Sequence, residues 1–190
     1  MARRIAAVAL VTAGALAALA VAAWDPPEPE LARLDGLRSA FGDAGIRMTG
    51  HTLFTDVTRL EYCPNPGGEQ ARYCATTALV RSGSSIGNVN AGAGASGRMI
   101  TVGVVEPAGP AEAAEVFKIM IEELVCRCWE AESPGGFASI LGWLEDAASR
   151  SAEHGGQIPL NSEISGLAGA DILLEVGRGG DRWGLVITQP

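Results

Sequence analysis

The chain has 190 residues and is acidic, with 22 Asp and Glu against 14 Lys and Arg and a formal net charge of −8 at pH 7. A surface of that sign repels nucleic acid and anionic lipid headgroups, so we expect neither as a partner. Hydrophobic residues make up 47% of the sequence, which is enough for one domain with a packed core.

Residues 1–23 have the layout of a secretory export signal. Arg3 and Arg4 form a positive n-region, residues 5–23 carry no charge, and small alanines end the run before Trp24. A run of this length also just spans a bilayer, so an uncleaved N-terminal membrane anchor through residues 5–23 is the alternative. Both interpretations place the rest of the chain outside the cytoplasm, either free in the periplasm or anchored to the inner membrane.

The next segment, residues 24–30, is an acidic, proline-containing linker, and residues 31–190 are predicted to form a single domain. The apolar residues Leu31, Leu34, Leu37, Ala40 and Phe41 fall on one helical face, so the domain is predicted to begin with a helix that ends at Gly45. Three segments rich in threonine and β-branched residues then predict strands, at 46–54, 57–62 and 71–80.

Residues 82–97 are rich in glycine and serine and are predicted to be a flexible surface loop. The most hydrophobic strand follows at Met99–Val105, and Pro110 begins a helix whose apolar stripe continues to Cys128. After a Ser-Pro-Gly-Gly break, a second helix carries apolar residues from Phe137 onward and ends at the Gly155-Gly156 pair.

Two strands joined by a glycine turn close the chain, at 171–176 and 182–188. Because most strands are joined by hairpins rather than by helical crossovers, we expect an α+β domain. Its mainly antiparallel sheet should have about five strands, packed with two or three helices.

The four cysteines, Cys63, Cys74, Cys126 and Cys128, are predicted to form disulfides, since an even number in an exported chain favours bridges. Cys63 and Cys74 bracket a turn-rich stretch that favours a bridge across it. Cys126 and Cys128 point away from each other on a continuous helix, so they bridge elsewhere or unwind the helix locally. A redox-active dithiol and a zinc site of all four thiols are the alternatives that the spacing disfavours.

Two glycine patterns resemble catalytic or nucleotide-binding motifs. Residues 83–87 match G-x-S-x-G around Ser85, with Asp146 and His154 following in the order that a hydrolase triad needs. That motif needs a helix after the serine, and none is predicted there. Residues 92–97 match G-x-G-x-x-G but precede a strand rather than a helix, so we expect no nucleotide cofactor.

Histidines and glutamates give no metal site. His51 and His154 are the only histidines, and a helix C-terminus accounts for His154 because it favours a cation. The acidic residues on one helix are expected to form a solvated face, with weak divalent-cation binding as the alternative. They are Glu122, Glu123, Glu130 and Glu132.

Trp129 and Trp183 are candidates for an exposed binding surface, with packing between elements as the alternative. No catalytic set converges in the sequence. We therefore expect an exported accessory or binding protein of the bacterial cell envelope, acting on another envelope protein without a metal or cofactor. The alternatives are a small serine hydrolase that uses Ser85 and His154, or a thiol-redox protein that uses Cys126 and Cys128.

Overall fold

The computed structural model describes residues 29–54, 71–94 and 98–190. The expected export segment, most of the linker, the strand predicted at 57–62 and Cys63 lie outside these ranges. The helices are α1 (Pro29–Asp43), α2 (Pro110–Leu124), α3 (Trp129–Glu132) and α4 (Ile140–Glu153). The strands are β1 (Arg47–Met48), β2 (Thr52–Phe54), β3 (Ala71–Arg81), β4 (Ser84–Gly94), β5 (Met99–Val105), β6 (Leu160–Leu167), β7 (Ala170–Val176) and β8 (Trp183–Gln189).

All described strands belong to one antiparallel sheet, in the order β1-β3-β4-β5-β8-β7-β6. The short strand β2 also pairs with β3. β1 lies opposite Leu79 and Val80, whereas β2 lies opposite residues 74–76, so the two share one edge of β3. The sheet therefore has seven positions across its width. The α+β class and the antiparallel sheet are confirmed.

The prediction of about five strands is wrong, chiefly because residues 84–94 form a strand rather than a flexible loop. Ser82 and Gly83 both have positive φ, 52° and 85°, which is the geometry of a two-residue hairpin turn whose twist suits the flanking strands. β4 then pairs with β3 on one side and β5 on the other. Its hydrogen bonds to two neighbours outweigh the low strand propensity of its glycines and asparagines.

β6 is the second strand that the sequence prediction missed. It pairs only with β7, so it is an edge strand among the described residues. Its exposed positions are polar, and its regular pairing breaks after Ile164, next to a positive-φ glycine at Gly166. An edge strand of this kind needs few apolar residues, so its sequence shows little of the hydrophobic alternation by which strands are predicted.

The helices pack on one face of the sheet. One row of paired residues shows this: Val89 pairs with Gly103, Gly103 with Leu185, and Leu185 with Leu174. The three apolar side chains of that row belong to the buried core, together with the inner faces of α1, α2 and α4. Residues of α1 that were predicted to share a buried face do so: Leu34, Leu37 and Phe41 are at most 1% exposed.

Gly103 determines how closely α2 approaches the sheet. A Cβ atom at this position would overlap the Met120 sulfur and would lie 3.6 Å from the Phe117 ring. Met120 and Phe117 are themselves fully buried. Because Gly103 has no side chain, the centre of α2 packs into the space that a side chain would occupy.

No helix within the described ranges is both long and apolar enough to cross a membrane.

We predict that Gly103→Val lowers the free energy of unfolding by about 1–3 kcal/mol, because the added methyl groups overpack the α2 contact. Met120→Ala should be destabilising alone, but combining it with Gly103→Val should cost less than the sum of the two, since the smaller alanine leaves room that the valine side chain fills. Chemical denaturation monitored by tryptophan fluorescence measures all three.

Gly36→Ala is the control. Gly36 lies within α1, and a Cβ there would meet nothing within 4 Å, so this change should stabilise the protein by about 0.5–1 kcal/mol. Strict additivity of Gly103→Val and Met120→Ala would show that the two residues do not share this packing site.

Candidate functional site

The Cys126–Cys128 corner follows the end of α2. The helix ends at Leu124, where the N–H groups of Val125 and Cys126 both donate to the Ile121 carbonyl, at 2.9 and 3.0 Å. The chain then leaves the helix, and the Cα atoms of Cys126 and Cys128 lie 5.2 Å apart in a disulfide. The predicted helix through Cys128 is therefore wrong. The structure instead forms the local bridge that requires the helix to end.

Cys74 is also disulfide-bonded, and the structure contains no free cysteine among its described residues. Because Cys126 and Cys128 bridge each other, neither bridges to Cys74, and the four thiols do not share a zinc ion. No group of three or more His, Cys, Asp or Glu within the described ranges is placed to hold a metal ion.

The Cys126–Cys128 bridge forms part of the wall of an open cavity of about 630 Å³. Residues 163–167 at the end of β6 and Ala168 of the β6–β7 turn also line this cavity. Two carboxylates, Glu132 and Glu163, line the cavity, and none of its described lining residues is basic. Thiolates are activated by positive surroundings, so this environment does not favour a reactive thiol.

The tryptophans predicted to be exposed are buried. Trp129 is 5% exposed and Trp183 is 0% exposed. Each indole N–H donates to a backbone carbonyl, from Trp129 to Phe137 at 3.1 Å and from Trp183 to Ala108 at 3.0 Å. The prediction of an exposed surface at these two residues is therefore wrong, and the packing alternative describes both rings.

Ser85 lies in a hairpin rather than in a catalytic turn. Gly83 belongs to the turn between β3 and β4, and Ser85 is an exposed residue of β4. Gly87 has φ of 152°, and a Cβ there would overlap the Val104 carbonyl oxygen on β5. Sheet geometry thus accounts for both glycines of the G-x-S-x-G pattern.

The other members of the hydrolase alternative lie elsewhere. His154 caps α4, with Nδ1 2.7 Å from the Arg150 carbonyl, and Asp146 forms an ion pair with Arg150 at 2.8 Å. The chain just after His154 contacts the β7–β8 turn, where the Gly179 N–H donates to the Gly156 carbonyl. Three strand spacings, or about 14 Å, separate β4 from β7. The structure therefore does not bring these residues together.

His51 lies far from His154. It is exposed between β1 and β2, at the edge of the sheet opposite β6. The two histidines therefore share no site.

Three of the four acidic residues proposed as a solvated face are exposed, and two of the four form ion pairs. Glu122 lies 3.7 Å from Lys118, and Glu123 lies 2.9 Å from Arg127. Glu130 projects from the short helix α3, where it is exposed. Glu122 and Glu130 also border a second cavity, which the sequence analysis did not predict.

This second cavity, the helix groove, has a volume of about 290 Å³ and lies between α2, α3 and the first turn of α4. Its apolar lining residues are Ala111, Ala114, Trp129, Ile140 and Leu141, and its charged lining residues are Glu115, Lys118, Glu122 and Glu130. Ser139 also lines the groove and caps α4 by accepting a hydrogen bond from the Gly142 N–H at 3.0 Å.

Leu141 distinguishes the helix groove from an ordinary seam between helices. It is 38% exposed although it lies beside the buried Ile140. Trp129 closes the inner wall, where its ring packs against Trp143 with centroids 5.5 Å apart. The groove therefore offers a partner an exposed aliphatic side chain backed by a rigid aromatic wall.

Comparisons with protein-family models, with curated proteins and with solved structures found no match to this chain.

We predict that the Cys126→Ser/Cys128→Ser double variant lowers the free energy of unfolding by about 1–2 kcal/mol, the loop-entropy value for a very short bridge. Removing the bridge frees the α2–α3 corner that holds Trp129, so tryptophan fluorescence should also change. Unfolding of the native and double-variant proteins in denaturant measures both effects. Unchanged stability would contradict a structural role and would favour the thiol-redox alternative.

Proposed function

We propose that this chain is an exported binding protein of the bacterial cell envelope, held by disulfides and acting outside the cytoplasm. Its partner is another envelope protein, which docks on the helix groove. The proposal assigns no catalytic residue, metal or cofactor to the protein.

The oxidised state of the described cysteines carries the proposal. Cys74, Cys126 and Cys128 are all disulfide-bonded. Stable disulfides are rare in the reducing cytoplasm and common in exported proteins. Residues 1–23 have the charge and hydropathy layout of an export segment, so two independent features of the chain favour the same compartment.

Binding is favoured over hydrolysis by the placement of the polar groups. Ser85 lies on β4, whereas Asp146 and His154 belong to α4 and its C-cap, and Asp146 is already paired with Arg150. A triad requires the nucleophile and base within about 3 Å of each other. The helix groove, in contrast, combines exposed apolar surface with charged side chains, as protein-binding surfaces do.

Thiol exchange at Cys126–Cys128 is a second candidate, supported by the open cavity that the bridge lines. A partner thiolate would attack one sulfur, form a mixed disulfide and release the other cysteine as a thiolate. The nearby carboxylates of Glu132 and Glu163 oppose that step, because both the attacking and the leaving sulfur are negatively charged. Binding remains the better-supported function.

We predict that the full-length chain, expressed in a bacterial host, is recovered outside the cytoplasm with no alkylatable thiol. A variant lacking residues 2–23 should remain in the cytoplasm with reduced cysteines. Fractionation followed by thiol alkylation and intact-mass measurement tests this. The mass also separates a cleaved export signal from a retained anchor.

Replacing Arg3 and Arg4 with glutamate is a finer control, because it removes the positive n-region and leaves the domain unchanged. The same cytoplasmic location and the same free thiols with and without residues 2–23 would contradict the proposal.

A further inference from the structure

We infer that the helix groove binds a basic amphipathic helical segment of another protein, an inference that rests on the proposed function as a binding protein. The segment inserts an aliphatic side chain beside Leu141 and Trp129. Its Lys or Arg side chains then lie against the glutamates that border the groove.

The floor of the groove is one stripe of α2. Ala111, Ala114, Lys118 and Glu122 follow one another at helical spacing and all line the cavity. Two of these residues are alanines, which allow a second helix to approach α2 closely. At about 1.5 Å per residue, the stripe from residue 111 to residue 122 is about 16 Å long. That length matches about three helical turns of a docked segment.

The apolar content of the groove favours a hydrophobic anchor. Leu141 is 38% exposed, and among the side chains whose burial the structure describes, the only other large hydrophobic one with comparable exposure is Ile158, at 57%. Ile158 does not line the groove. An aliphatic side chain placed between Leu141 and the buried wall of Trp129 would cover Leu141 and displace water from it.

The charge of the groove selects a basic segment. Among its charged lining residues, Glu115 pairs with Arg81 at 2.8 Å and Lys118 pairs with Glu122 at 3.7 Å. No described ion pair involves Glu130, which lies beside Trp129. A cation near Glu130 therefore gains an interaction that no residue of the described chain supplies.

An acidic segment would meet three glutamates and one lysine in the groove lining. Like-charge contacts of that kind suppress the wrong partner. A purely apolar segment would leave Glu130 beside a hydrophobic surface without a counter-charge. Both charge and shape thus favour the same class of partner.

The test uses the purified native protein and a synthetic amidated peptide of about 11 residues, the helical length that matches the groove. The peptide carries leucine at every third or fourth position and lysine at the others. Binding is followed by the change in tryptophan fluorescence, with Trp129 as the reporter in the groove wall, and by calorimetry. We expect saturable binding that weakens as salt is added.

Leu141→Asp should weaken peptide binding at least about tenfold, since it removes the exposed anchor contact. Ile158→Asp is the matched control at the other exposed aliphatic residue and should leave binding unchanged. Glu130→Lys should weaken binding several-fold and reduce its salt dependence. Glu153→Lys, an equal charge change at the far end of α4, should change binding less than about twofold.

Equal binding of a peptide with glutamate in place of lysine would overturn the inference. Native-like affinity of Leu141→Asp would overturn it as well. These results are independent of export. If the chain stays in the cytoplasm but binds the basic peptide, only the proposed location is wrong. If the chain is exported but does not bind the peptide, only the assignment of the helix groove as the binding site is wrong.

Discussion

The packing of α2 against the centre of the sheet is the contact on which the rest of the structure depends. Gly103 leaves space for Met120 and Phe117, so the inner face of α2 lies close to β5. At the end of the helix, the Gln189 side chain of β8 donates to the Leu124 carbonyl at 2.6 Å. With α2 held at its middle and its end, its outer stripe becomes the floor of the helix groove, and the Cys126–Cys128 corner begins at a defined position.

Much of this architecture could be predicted from hydrophobic periodicity. The apolar stripe of α2 and the β-branched run of β5 are local signals. β5 forms where predicted, and α2 begins at the predicted Pro110, although it ends at Leu124 rather than continuing to Cys128. β4 could not be predicted in this way, because its stability comes from hydrogen bonds to β3 and β5, which are properties of the assembled sheet. The turn at Ser82 could not be predicted from local sequence either. Ser82 has a positive φ, and hairpin turns usually have glycine or asparagine at such a position.

The candidate site was harder to predict than the fold. Trp129 falls on the polar side of α2 only if that helix continues, and the helix ends at Leu124. The new direction of the chain buries the Trp129 ring against Trp143 and places it in the groove wall. Leu141 belongs to the apolar residues from Phe137 onward that predict the second helix, although it is 38% exposed in the structure. Such surfaces arise from the relative placement of three helices, and no single segment encodes them.

Hydrogen–deuterium exchange of the native protein tests most directly whether α2 and the central strands form one structural unit. If the packing at Gly103 joins them, the amides of α2, β5 and β8 should be the slowest to exchange and should open together, whereas α3 should exchange faster. Exchange of α2 at a rate like that of α3, with β5 and β8 still protected, would contradict this account.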